Sequence, residues 1–205
     1  MKRFAIMCFY FLLLGGILMT FLPISWFPKF YDVRYSGWSM LAGALLIYFL
    51  PSILRVPADS PNAAKKNRAA DLFQFLIALA IIADALGALG LYELYQFGIP
   101  YAYILHVCIP LISVILLSIV LNMRFEIHLP YAAVIAFILV LICGIGWEVF
   151  ENLSDHFLNT HLTGPDQSTS YNTTMLNLIQ DTIGALLGSV LVILKQRLLV
   201  KKNQT

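Results

Sequence analysis

Five ionisable residues stand inside or at the ends of long uncharged runs: Asp84, His106, Glu148, Glu151 and Asp181, with Asp155 just beyond. Such groups are costly in hydrocarbon and normally face a partner or a water-filled cavity. Gly144, Glu148, Glu151 and Asp155 are spaced i, i+4, i+7, i+11. They form one stripe if the helix carrying them continues past Phe150. Asn177, Asp181, Gly184 and Gly188 repeat that spacing, and Asp84 shares a helix face with Gly87. Small residues beside an acid let helix backbones approach closely, so these acids are expected to point inward, toward a shared cavity. Glu148, Glu151 and Asp181, with Asp155 as a weaker fourth, are an oxygen-rich set suited to a divalent cation such as Mg²⁺, Ca²⁺ or Mn²⁺. His106 leaves room for Zn²⁺. His106 also suits a general acid or base, with Asp84 as its orienting partner. No nucleophile is evident for an enzyme; Ser154, beside the acids, is a weak candidate.

Each of these residues has a plainer reading. A lone Asp in a membrane helix can simply bond a neighbouring helix, stabilising it by ~0.6–2 kcal/mol. A lone His is more often a satisfied packing residue. The combination carries the functional reading: three carboxylates within Glu148–Asp155, near a membrane Asp and a membrane His, repel one another unless compensated. The compensation is a bound cation, proton uptake, or both.

The elements that must position these groups follow from composition. The chain has 205 residues, 60% hydrophobic and 12% charged, with a net charge of +2. Soluble domains carry roughly a quarter charged residues, and a mean hydropathy of +0.82 points the same way. So small a net charge supplies no phosphate-neutralising surface, so no nucleic-acid partner is expected. At ~20 apolar residues per crossing, the uncharged runs predict six spans: about 4–22, 35–54, 72–92, 99–121, 130–150 and 174–194. The predicted fold is all-α, a polytopic membrane helical bundle forming a single integral membrane domain over 1–205. The hydrophilic stretch Arg55–Asp71 is read as a linker. Cys8, Cys108 and Cys143 all fall inside spans and read as apolar packing residues. Soluble-enzyme signatures such as GxGxxG, GxSxG and HExxH do not occur.

Six spans place eleven of the 13 Lys and Arg residues on the side of the two termini, against Lys29 and Arg34 on the other. The positive-inside rule then predicts both termini in the cytoplasm. The first span is read as a retained helix, because it is longer than a signal-peptide core and no A-x-A-like site follows. With this orientation, at 1.5 Å per residue, Asp84 lies ~18 Å up its helix and Glu148 ~27 Å up. His106 and Asp181 each lie ~10 Å below the outer face. Four helices thus bring their polar residues to the same outer half.

The run Trp147-Glu148-Val149-Phe150-Glu151 with Asp155, and Asp181-Thr182-Ile183-Gly184-Ala185, resemble the YjdF-like family of multi-spanning membrane proteins. Asp84-Ala85-Leu86-Gly87 and His106 fit the same pattern. The likeness covers roughly Asp71 to Leu199; VanZ-like proteins are similar more remotely. The family places further aspartates ahead of the last helix, where this chain has Asn172 and Asn177. The resemblance implies a multi-pass protein of a bacterial or archaeal inner membrane, and no settled activity.

Three functional classes follow from the residues. One is an enzyme acting on a lipid or lipid-linked envelope substrate with a cation held by the acids. The second is a proton- or cation-coupled small transporter. The third is a non-catalytic envelope protein that binds a partner. Membrane lipids are partners in every case, and a homo-oligomer fits all three.

Overall fold

The structure, a computed structural model, describes residues 2–27, 32–158, 160, 162 and 170–202, without the side chains of 170–172 and 197–202. Lys29, His161 and the side chain of Asn172 therefore lie outside it. Among the described residues the chain is all-helical, with six long helices: α1 (Lys2–Phe21), α2 (Val33–Leu54), α3 (Ala63–Ala88), α4 (Tyr101–Phe125), α5 (Leu129–Leu158) and α6 (Ser170–Lys202). All six are long and apolar enough to cross a bilayer. A short 3₁₀ segment, Leu91–Phe97, lies between α3 and α4.

Several helices run beyond their expected spans, and both limits of α3 differ for a physical reason. Helix α3 starts at Ala63, inside the stretch read as a linker. Lys65, Lys66 and Arg68 are good helix formers, and a membrane helix can continue past the hydrocarbon into the charged interface. The incoming chain is held there by Asn67, whose side chain bonds both the N–H and the C=O of Val56 (2.9 and 3.2 Å). At its other end α3 stops at Ala88, where Gly90 takes φ 119°, a backbone that side-chain-bearing residues avoid. Helix α5 does continue past Phe150, so its acids share one stripe.

The helices pack as two groups of three. One core joins α1, α2 and α3 through small and medium residues such as Ala5, Leu12, Met40, Ala44 and Ala78. The other joins α4, α5 and α6 through Val114, Leu121, Ala132, Ala136 and Ala185. Helix α3 packs on α4 and links the groups. The buried positions are small because lipid offers no hydrophobic drive between helices, so van der Waals contact at short range holds them. Long side chains such as Ile142, Ile145 and Leu191 face outward; in a bilayer that is their solvent. Of the cysteines, Cys8 is buried in the first core, whereas Cys108 and Cys143 are exposed on the bundle surface.

At the end of the bundle that holds the termini, Asp71 pairs with Arg55 (2.7 Å) and Lys2 (3.7 Å), and Asn62 bonds Glu126 (3.0 Å). The polar site lies at the opposite end.

Candidate functional site

The site is built around a close contact between α4 and α6. Gly184 and Gly188 of α6 lie directly on the α4 backbone. A Cβ on Gly184 would stand 2.2 Å from the Val107 carbonyl oxygen, and one on Gly188 would stand 2.6 Å from that of Leu111. One turn before Gly184, this approach sets Asp181 against α4, where its Oδ1 lies 3.0 Å from His106 Nδ1. Gly144 of α5 makes the remaining room: its Cβ would come within 2.9 Å of the other Asp181 oxygen, Oδ2. Glycines on two helices therefore bracket a carboxylate that only close backbone approach can bring to the histidine. With Asp181 as acceptor, Nδ1 carries the proton and Nε2 is the nitrogen that can take one.

Glu148 projects from α5 beside this pair. It is 2% exposed, and both carboxylate oxygens are buried without a hydrogen bond. Asn177 and Thr174 of α6 stand beside it without meeting hydrogen-bond geometry, and His106 and Asp181 are within electrostatic reach. A buried acid with no donor costs several kcal/mol relative to water, so its retention here needs a reason other than stability.

The other acids fall on the side toward α3. Tyr92 of the 3₁₀ segment donates to Asp84 Oδ1 (2.8 Å). Burial, together with the Asp84 carboxylate, pushes the Tyr92 hydroxyl well above its ordinary range, so it stays protonated and remains a donor. The Tyr92 ring packs edge-on to Tyr101, with 5.6 Å between centroids, and Tyr101 in turn donates to the Ala83 carbonyl (2.8 Å). Tyr35 of α2 stands beside Ser39 and Ser154 and faces Asp84 and Glu151. Asp84 retains accessible surface, yet its neighbours are Tyr92, Tyr35, Tyr101, Glu151 and His106. That surface is therefore the wall of a crevice between helices. Glu151 lies between Glu148 and Asp84, with Trp147 alongside.

Asp84, His106, Glu148, Glu151 and Asp181 thus meet from four helices. The pairing differs from the expectation in one respect: His106 takes Asp181 as its partner, while Asp84 is turned to Tyr92. Asp155 is drawn away, accepting from Thr160 Oγ1 and from the Leu162 N–H, both at 2.7 Å. Among the described residues no group of three or more His, Cys, Asp or Glu side chains stands close enough together to hold a metal ion. Sequence reasoning missed the tyrosines. Tyr92 read as the end of a span, although Gly90 and Gly98 on either side of an aromatic run are a turn signal, and both take positive φ.

Below the pair, away from the crevice, α4, α5 and α6 are joined by the apolar core of Val114, Ala136 and Ala185 with Leu117 and Val140 around it. Sideways the site meets a groove of about 240 Å³ between α5 and α6, lined by Ile145, Glu148, Val149, Asn152, Leu153, Thr174 and Leu178. Asn152 bridges its two walls, donating to the Glu148 carbonyl (2.8 Å) and to Thr174 Oγ1 (3.2 Å).

Fold and site define an integral membrane protein with six long apolar helices and a candidate site at one end of the bundle. The chain belongs to the family described as predicted membrane protein (DUF2238), whose model matches residues 6–197. That is the YjdF-like family its acidic runs resemble; the more remote likeness to VanZ-like proteins finds no support. Neither the curated proteins nor the solved structures yield a match.

Proposed function

We propose that the protein carries out acid–base chemistry on a lipid or lipid-linked envelope substrate that reaches the site sideways from the bilayer. The observation that carries this reading is the His106–Asp181 pair at 3.0 Å, beside a buried Glu148 without a hydrogen bond that also lines a groove open to lipid. Asp181 fixes the ring and its tautomer, leaving Nε2 to take or give a proton. Glu148 supplies a second acceptor in a low-dielectric setting, where a hydrogen bond to a substrate is strong. The apolar core below the pair favours a site open at one end and from the side over a path through the membrane, and so an enzyme over a transporter. Comparing the lipids of cells that lack the protein with those of complemented cells tests this. A species should accumulate on loss, and wild type should clear it while His106→Gln and Asp181→Asn should not. An unchanged lipid inventory, or one restored by both variants, overturns the reading.

The orientation is part of the proposal. Both termini are cytoplasmic and the site lies in the outer half of the cell membrane, because Lys and Arg are concentrated at the end with the termini. Reporter fusions after Lys202 and within 163–170 are expected to report opposite compartments, the first cytoplasmic. A C-terminal reporter on the outer side would invert the assignment.

A further inference from the structure

We propose that the α5/α6 groove seats an amphiphile with a primary ammonium head, its chain along Ile145, Val149, Leu153 and Leu178 and its head at Glu148. This names the substrate class for the acid–base site and rests on that reading.

Four observations lead to it. The walls are aliphatic, and Ile145, Val149 and Leu153 keep half their surface open at 53%, 52% and 50%. In a chain whose long helices are membrane spans, what lies against such a face is an acyl or alkyl chain. At the base of the groove, Glu148 carries two covered oxygens that can only accept once ionised and that meet no hydrogen bond, so a head group reaches them by displacing the side chains that cover them. A primary ammonium brings three N–H donors and a compensating charge, a stronger pairing than any neutral head would make.

The surrounding charge selects the sign. Glu151 and Asp84 stand near Glu148 on the side toward α3, outside the groove, and His106 is engaged by Asp181. Among the described residues, Arg34 is the Lys or Arg at this end of the bundle, and its Nη1 bonds the carbonyl of Met19 at 3.0 Å and that of Thr20. It holds the end of α1 and does not neutralise the acids. A phosphate head brings Glu148 no N–H donor, and once the acid ionises it meets a like charge. An inorganic cation would need several ligating groups, which the described residues do not bring together.

The test measures binding without turnover, so it can fail while the acid–base reading stands, and the reverse. Full-length protein in nanodiscs of neutral and zwitterionic lipid is titrated with radiolabelled dodecylamine, with empty nanodiscs subtracted. We expect saturable binding at one site per protein. Glu148→Gln should weaken it by about tenfold or more, the scale of one lost charge-assisted contact. Glu148→Asp, which keeps the charge, should lose less. Leu178→Trp, which fills the groove, should abolish binding without touching an acid. Dodecanol and dodecyl sulfate should compete poorly. Binding that survives both Glu148→Gln and Leu178→Trp overturns the proposal, as does dodecanol competing on equal terms. Displacement of the amine by micromolar Ca²⁺ or Mg²⁺ also overturns it, in favour of an inorganic cation.

Discussion

Gly184→Ala is expected to destabilise the folded protein by about 2–3 kcal/mol, the range of overpacking a close contact. The added Cβ would lie 2.2 Å from the Val107 carbonyl oxygen, a backbone atom that no rotamer change can move. Helices α4 and α6 must separate, and the His106–Asp181 bond lengthens with them. Gly146→Ala is the internal control, because nothing lies within 4 Å of its Cβ position. There the substitution should be neutral or stabilising by up to ~1 kcal/mol, from helix propensity alone. Thermal unfolding of both variants in one detergent measures the difference. Gly188→Ala should fall on the Gly184 side, since its Cβ would stand 2.6 Å from the Leu111 carbonyl oxygen. If Gly184→Ala melts with Gly146→Ala, the helix approach that seats Asp181 is not close, and the geometry of the pair falls with it.

The second large effect has the opposite sign. Glu148→Met should raise stability by about 1–3 kcal/mol, because it removes a buried carboxyl with no hydrogen bond and keeps a similar volume. The same variant should lose the function in the lipid comparison. Asp181→Leu should do the reverse to stability, lowering it by about 1–2 kcal/mol, since it strips His106 of its partner. A residue that costs stability and is needed for function marks a site kept for chemistry. A Glu148→Met protein that melts below wild type would show that the carboxyl holds the fold, and the candidate site would lose its central residue.

The residues of the site divide by how far along the chain their partners lie. Six spans were readable because a bilayer demands long uncharged runs, a local property of the sequence. The inward stripes on α5 and α6 were readable too, because the helical period ties i, i+4 and i+7 to one face once the helix is known. From these, Glu148, Glu151, Asp181, Asp84 and His106 could be singled out and assigned to the same end of the bundle.

What each of them touches was not readable. Asp84 and Asp181 are both acids near the right depth for His106, and periodicity cannot choose between them. The choice falls to Asp181 because Gly184 and Gly188 let α6 lie against α4, a contact between residues about 75 positions apart. Asp84 goes to Tyr92 because Gly90 turns the chain back over the end of α3, which carries that phenol onto the acid. Asp155 shares the stripe with Glu148, yet it is claimed by Thr160 and Leu162 past the helix end. The burial of Glu148 without a hydrogen bond is likewise a property of three helices at once. Sequence alone determined the spans, their faces and the acids on them, since these depend on spacing along one chain segment. Which acid meets the histidine, and which is left without a donor, depends on side chains from different helices meeting in space, and the packing of α4, α5 and α6 decided that.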